Sequence, residues 1–300
     1  MLALTILGNN SAVPAFGRNP TAQVLQTLEE TYLIDCGEGT QMQMAKYKIR
    51  RSKISRIFIS HLHGDHYFGL IGLLTSMSLL GRTQDLHLHA PRELEEIINW
   101  QFKVGAAKLS YNLIFHAITE DGLIADDKNL TVHAFKVKHR IECFGFLFKQ
   151  KTKLRNINVE RTKAYEIPTS FYQKLQQGED YINKKGTVIP NEEVTFAPIP
   201  PKSYAYSADT LYCEDIIDKV KNVDLLYHEA TYLKLHEERA LLHFHSTTIQ
   251  AATIAQKAEV KRLLIGHFSS KYEVLDEFRN EAREVFPNTD LALEGICYKI

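Results

Sequence analysis

Two β-sheets packed face to face, with helices over both outer surfaces, is the α/β architecture to expect of this chain. Three observations lead there. β-type runs occur in both halves of the 300 residues, with helix-type runs between them. Several of the strand-like runs are apolar almost throughout, as buried strands are. Finally, residues with metal-ligand chemistry repeatedly close those runs, as groups gathered along one rim of a sandwich would.

The elements follow in order along the sequence. LALTILG is a β-type run ended by the turn cluster NNSAVP. TAQVLQTL and TYLIDCG flank Glu29 and Glu30 and read as a hairpin with an acidic turn. EGTQMQMAKYKI carries helical residues, and RIFIS is another buried strand. FGLIGLLTSMSLL is apolar nearly throughout, as expected of a helix buried against a sheet. DLHLHA and PRELEEIINW make a strand–helix pair, with Pro91 near the first turn of the helix. LTVHAFKVKH and CFGFLFK are strand-like. Past residue 190, the runs SYAYSAD, VDLLYHEA, RLLIGH and LALEGICYKI alternate with the helices STTIQAATIAQKA and EVLDEFRNEAREVF. No repeat of fixed period is present.

Residues 151–190 break this rhythm. The stretch has little apolar periodicity, eight Lys/Arg against four Asp/Glu, and interleaved Tyr and Phe, so it reads as an insertion.

Composition narrows the function classes. Thirty-six basic residues balance thirty-six acidic ones, so overall charge announces neither a nucleic acid nor a membrane; any basic surface must be local. Cys36, Cys143, Cys213 and Cys297 form no CxxC pair, which argues against a thiolate zinc site and more weakly against a disulfide framework. MLALTILGNN lacks the basic and apolar regions of a signal peptide, and no run has the length of a membrane span. A cytoplasmic protein with no membrane partner is the expectation.

The densest chemistry lies in ISHLHGDHYFGL, where His61, His63, Asp65 and His66 follow a strand directly. Such a segment supplies imidazole and carboxylate donors from one stiff edge, and Gly64 lets the turn fold tightly. Six residues on one turn cannot enclose a metal. His139, Asp209 and His267, each closing an apolar run, are the partners on offer. Singly, a histidine at a strand end is more often hydrogen-bonded structure than ligand. Together, seven donors are about what two zinc ions need.

HLHGDH with the spaced His139, Asp209 and His267 resembles the metallo-β-lactamase superfamily. LGNNSAVP, RNPTA, LIDCGEGTQ, HEATY at 228–232 and HSTT at 245–248 extend the likeness over nearly the whole chain, and they are similar to ribonuclease Z, the tRNA 3′-processing endonucleases. The resemblance implies a single metallo-β-lactamase domain over 1–300, an αββα four-layer sandwich, with 151–190 as a protruding flexible arm that grips tRNA. It implies two zinc ions per subunit, with manganese as the alternative in a more open site. His61, His63 and His139 would hold one, and Asp65, His66 and His267 the other, with Asp209 bridging.

The activity implied is removal of the 3′ trailer from precursor tRNA, leaving a tRNA 3′-hydroxyl and a trailer 5′-phosphate. Asp65 would accept a proton, His245 would give one to the leaving 3′-oxygen, and Glu229 would orient and charge His245. The bland alternative for His245 is that it caps or buttresses the helix beginning near Ser246. Lys174 and Tyr172, with Phe171, are the expected arm contacts to RNA, joined by Lys202 beyond the arm. The family also implies a homodimer. Four features depart from its pattern: Gly178 is the lone glycine of YQKLQQG where the arm tip is commonly glycine-rich, Ala208 and Tyr204 stand where glycines are usual, and Asn9-Asn10 replaces a glycine-containing turn. The rival readings are another phosphodiesterase or small-molecule esterase of the same fold, an RNA-binding module without chemistry, and a structural zinc protein. The last two fit poorly with seven retained donors and no thiolates.

Overall fold

The computed structural model describes residues 2–300, which form two compact units. The larger runs to Asp126 and takes in Thr131–Lys149 and Lys202–Ile300; the smaller is Asp127–Leu130 with Gln150–Pro201.

In the larger unit, the first sheet starts with β1 (Ala3–Gly8), β2 (Ala22–Gln26), β3 (Thr31–Ile34), β4 (Ile54–Phe58), β5 (Leu86–Pro91) and β6 (Leu113–Ile118). The second sheet starts with β7 (Gly122–Asp126), β8 (Leu130–Lys136) and β9 (Phe144–Gln150). Four short strands of the smaller unit follow: β10 (Asn156–Ile157), β11 (Tyr181–Ile182), β12 (Val188–Ile189) and β13 (Thr195–Phe196). The second sheet then resumes with β14 (Ser203–Tyr206), β15 (Leu225–Glu229), β16 (Leu263–Gly266) and β17 (Thr289–Leu291), and β18 (Cys297–Lys299) returns to the first. The orders are β18-β1-β2-β3-β4-β5-β6 and β17-β16-β15-β14-β9-β8-β7. Strands β3 to β6 run parallel, as do β14 to β17. Parallel strands end at a common rim, and that rim is where an open α/β sheet presents its loops to a ligand.

Helices cover the outer faces. On the first sheet lie α1 (Thr40–Lys46), the short α2 (Gly64–Tyr67), α3 (Leu70–Leu79) and α4 (Glu93–Val104). Leu70, Leu73, Leu74 and Met77 of α3 pack in one cluster with Leu33, Ile57, Leu86 and Leu88 of the sheet. On the second lie α9 (Thr248–Lys257) and α10 (Asp276–Val285), reached after α5 (Val159–Ala164), α6 (Tyr172–Gln177) and α7 (Asn191–Val194) of the smaller unit and then α8 (Glu237–His243). Ala251, Ala252 and Ala255 let α9 approach Leu226, Leu263 and Ile265 closely, while Phe278 and Ala282 of α10 complete that cluster. The layer between the sheets is largely aromatic: Phe58 lies 5.5 Å from Phe146 and 5.4 Å from Phe148, and Tyr206 lies 5.2 Å from Tyr227. The architecture is the αββα sandwich expected.

Local expectations meet the structure element by element. The acidic-turn hairpin is β2–β3, with Gln26 opposite Thr31. Pro91 closes β5, and the helix after it begins at Glu93. Helix α8 escaped a periodicity reading because Leu241 and Leu242 are exposed and leave no apolar stripe. In the Asn9-Asn10 turn, the left-handed residue is Ala12 at φ 63°, not an asparagine. The asparagines serve through their amides: Asn9 Nδ2 donates to the Ala292 carbonyl and Asn10 Nδ2 to that of Val13, both at 2.6 Å.

The smaller unit has its own core of Ile167, Leu175, Ile189 and Val194. These four apolar side chains are spread over helices, loops and a two-residue strand, which is why residues 151–190 show no period. Phe171 and Tyr172 pack against this core, and the Tyr172 hydroxyl bonds Thr162 Oγ1 at 2.9 Å. Lys174 is exposed, 5.4 Å over the Phe171 ring and 3.6 Å from Glu179.

Candidate active site

All seven donors singled out in the sequence meet at one rim of the larger unit. His61 follows β4 by three residues, His63 precedes α2, and Asp65 and His66 lie within it. From the second sheet, Asp209 follows β14 by three residues and His267 follows β16 directly. His139 follows β8 by three residues. A Cβ at Gly64 would meet the Phe68 ring at 2.1 Å, so a larger residue there would push that exposed ring aside.

Two sets of donor atoms take in all seven. His61, His63, His139 and Asp209 form one and Asp65, His66 and His267 the other, each with its atoms within 4.8 Å of one another; Asp209, His245 and His267 form a third, overlapping group within the same distance. Nδ1 of His63 lies 3.1 Å from His61 Nε2 and 3.1 Å from His139 Nε2. His66 Nε2 lies 3.4 Å from His267 Nε2, which is 3.4 Å from Asp65 Oδ2. Asp209 stands between the sets, with Oδ2 at 3.7 Å from His61 Nε2 and 3.4 Å from His66 Nε2, and Oδ1 at 3.3 Å from His267 Nε2.

The hydrogen bonds behind these atoms decide which nitrogen faces inward. His66 Nδ1 donates to Asp35 Oδ2 at 2.8 Å. His139 Nδ1 donates to the Phe244 carbonyl at 3.0 Å. His267 Nδ1 donates to Thr231 Oγ1 at 2.9 Å, since that hydroxyl spends its own proton on Glu229 Oε2 at 2.8 Å. His61 Nδ1 donates in the same way to Ser60 Oγ at 3.0 Å, whose proton goes to Asp35. Four imidazoles are thus fixed with Nε2 lone pairs converging. Lone pairs facing one another at such distances, beside a buried Asp209 Oδ1 that receives no hydrogen bond, fit cations as their common partner.

Electrostatics point the same way. Burial, then the neighbouring His66, holds the His61 imidazole well below its ordinary range, and burial with His139 brings His63 down to about 4. Burial opposes ionisation of Asp209, yet His267 and His66 keep its carboxyl well below the usual carboxylate range. Burial likewise works against Asp65, and His66 and His267 outweigh it. Neutral imidazoles and ionised carboxylates are what a metal binds. His66 is the exception, since burial lowers it but Asp209, Asp65 and Asp35 together raise it well above the ordinary imidazole range, so a cation there displaces its proton.

His245 stands beside the donor sets, its ring 5.3 Å from that of His267. Its Nδ1 donates to Glu229 Oε1 at 2.9 Å. Glu229 is wholly buried and also accepts from the backbone of Ser246, Thr210 and Thr231. Burial alone would lower His245, but the Glu229 carboxylate pushes it up to about 9. The helix-capping task falls to Thr247, which forms a capping box with Gln250.

The sequence reading assigned no role to Asp35, Ser60, Thr231, Phe244 or Tyr206. Asp35 had a signal: like the donors, it closes an apolar strand, LID. It accepts from Ser60 N at 2.8 Å and Tyr206 Oη at 2.6 Å as well as from His66, at a left-handed φ of 56°. Ala208 is left-handed too, at φ 56°, so the position favours glycine on backbone grounds. Lys202 lies away from this rim. It precedes β14, roughly 22–24 Å of fully extended chain from Asp209, and its Nζ bonds Asp224 Oδ1 at 3.0 Å. Tyr204 belongs to β14 and is buried, its hydroxyl donating to Gln23 Oε1 at 2.5 Å.

The site opens into a cavity of about 540 Å³ whose wall includes Val13, Glu38, Phe68, Arg140, Tyr232 and His243. Among the described residues, no helix is long and apolar enough to cross a membrane.

Comparison with known proteins gives two family descriptions. The family model described as "Anti-Pycsar protein Apyc1" matches residues 2–281. The chain is 42% identical over 299 residues to a ribonuclease Z of Bacteroides thetaiotaomicron, covering 99% of this chain and 95% of that one. It is 43% identical over 295 residues to a ribonuclease Z of Parabacteroides distasonis, covering 98% and 97%. Among solved structures it is similar to the short form of human tRNase Z, with a TM-score of 0.73 at 27% identity over 99% of each chain. The metallo-β-lactamase fold protein YhfI of Bacillus subtilis superposes with a TM-score of 0.70 at 19% identity, covering 99% of this chain and 98% of that one, a likeness of fold.

Proposed function

This chain belongs to the ribonuclease Z family and matches the anti-Pycsar Apyc1 family model, and from that premise we propose that it is a zinc-dependent endoribonuclease removing the 3′ trailer from precursor tRNA. Cleavage leaves a 3′-hydroxyl on the tRNA and a 5′-phosphate on the trailer. The observation that carries this reading is the convergence of two donor sets on Asp209, with the His245–Glu229 pair alongside.

His61, His63 and His139 would hold one zinc and Asp65, His66 and His267 the second, with Asp209 shared; manganese is the alternative. Such a pair, when bound, polarises a phosphodiester and makes water a nucleophile at neutral pH. The chain's own groups do the rest. Asp65, kept ionised and held by the Ala12 amide at 2.8 Å, accepts a proton from the attacking water. His245, kept protonated by Glu229, gives a proton to the departing 3′-oxygen. Glu229 fixes the ring so that Nε2 carries that proton.

The basic smaller unit would serve as the arm that grips tRNA, with exposed Lys174 neutralising phosphate. In a cytoplasmic homodimer, the arm of one subunit would serve the site of the other. A small phosphodiester is the second reading, favoured by a cavity of about 540 Å³ that could hold a nucleotide-sized molecule. One assay separates the two: zinc-loaded protein is incubated with a tRNA precursor bearing a 3′ trailer, and the new ends are mapped. A cut at the trailer junction with the stated ends supports the proposal; hydrolysis of small phosphodiesters with intact precursor refutes it.

A further inference from the structure

His63 breaks the pattern of the other four imidazoles. It turns Nδ1 toward the donor set, and its Nε2 meets Arg140 Nη2 at 3.2 Å. A guanidinium has only donors, so Nε2 in this contact is an acceptor and the ring proton sits on Nδ1. To give the Nδ1 lone pair to a cation, His63 must carry its proton on Nε2 instead. There it would face the Arg140 donor with a donor. Filling the metal site and keeping the Arg140–His63 hydrogen bond are therefore incompatible.

The released side chain has a clear place to go. Arg140 is exposed, adjoins His139 in sequence and lines the cavity. Besides His245, which Glu229 keeps protonated, the other charged residues of that wall are the carboxylates Glu38, Asp65 and Asp209, so Arg140 is its one cation, among the described residues, that no ordinary pH removes. A planar fork of N–H groups matches two oxygens of one phosphate.

We propose that Arg140 is a substrate-binding residue that releases His63 when metal loads and then clamps the phosphate held at the metal centre. The inference rests on the phosphodiesterase reading above and adds to it a phosphate contact gated by metal loading.

The test compares zinc-loaded wild type with Arg140→Ala and Arg140→Lys. The probe is a short single-stranded RNA matching the trailer, offered with a 5′-phosphate or a 5′-hydroxyl, and affinity is read by calorimetry. Zinc content is measured in each protein. Wild type should prefer the phosphorylated strand. Arg140→Ala should reduce that preference by roughly tenfold to a hundredfold at unchanged zinc content, and Arg140→Lys should restore part of it, since lysine keeps the charge and loses the fork. An unchanged preference in Arg140→Ala overturns the inference, as does loss of zinc, which would make Arg140 a support for His63. No phosphate preference in wild type also overturns it. Precursor cleavage is scored separately, so an enzyme that cuts tRNA with an inert Arg140 refutes only this inference, and one that binds phosphate through Arg140 without cutting tRNA refutes only the tRNA assignment.

Discussion

His245 and Glu229 are joined at 2.9 Å by a hydrogen bond whose acceptor is wholly buried and holds four further donors from Ser246, Thr210 and Thr231. The carboxylate cannot swing away without stranding all of them, so the charge and direction of the imidazole are set by the fold. This rigidity is what a proton donor beside a leaving group needs.

His245→Ala should therefore lower precursor cleavage by roughly 10²- to 10⁴-fold, the usual contribution of a general acid, while zinc content stays at the wild-type level. Single-turnover cleavage with parallel metal analysis reads both quantities. Zinc loss in this variant would recast His245 as a structural residue.

Asp35→Asn removes the charge that holds His66 Nδ1 at 2.8 Å. Zinc affinity, measured by competition with a chelator, should fall on the order of 10–100-fold, as for other partners behind a metal ligand. Circular dichroism should show the fold retained, because the asparagine oxygen can still accept from the Ser60 amide while the Tyr206 and Ser60 hydroxyls turn to accept from its NH2. An unchanged affinity would deny Asp35 its orienting role.

Lys149 at the end of β9 pairs with Ser203 at the start of β14, so the smaller unit enters and leaves between paired residues. Replacing Gln150–Lys202 by an Asn-Gly turn should join the paired Lys149 and Ser203 through a two-residue hairpin loop without disturbing the register. The shortened protein should lose tRNA processing yet keep hydrolysis of a small phosphodiester. Equal loss of both activities would contradict an arm dedicated to tRNA.

Asp224 gives a pH test remote from the active site. Its burial disfavours the charge, but Lys261, Lys202 and the Ser203 amide and hydroxyl bring its pKa down to about 2. A carboxyl with a depressed folded-state pKa stabilises above its unfolded value of 3.8, and that stability is lost as pH falls toward about 2. Asp224→Asn should cost about 1–2 kcal/mol at neutral pH, with the gap to wild type closing in acid. Urea unfolding at several pH values measures it, and a gap that does not shrink below pH 3 would refute the account.

The sequence by itself determined the layers and the metal-binding chemistry. Apolar runs such as RIFIS and LLIGH read as buried strands because both their faces are covered, and His61, His63, Asp65 and His66 announced themselves by crowding into one turn. The strand-end position of His139, Asp209 and His267 was also legible, since parallel strands place their ends along one rim. What the linear order could not carry was the partner of each nitrogen. The bonds of Asp35 to His66, Phe244 to His139 and Thr231 to His267 span 31, 105 and 36 residues, and Arg140 reaches back 77 to His63. The same limit explains Lys202, which looked like a substrate contact in the sequence and proved to be tied to Asp224 at the opposite end of its strand. The small core of Ile167, Leu175, Ile189 and Val194 was hidden too, because four apolar side chains scattered over short elements have no period. Tertiary structure alone decided these matters, since a hydrogen bond depends on distance and direction in space, and neither is encoded in spacing along the chain.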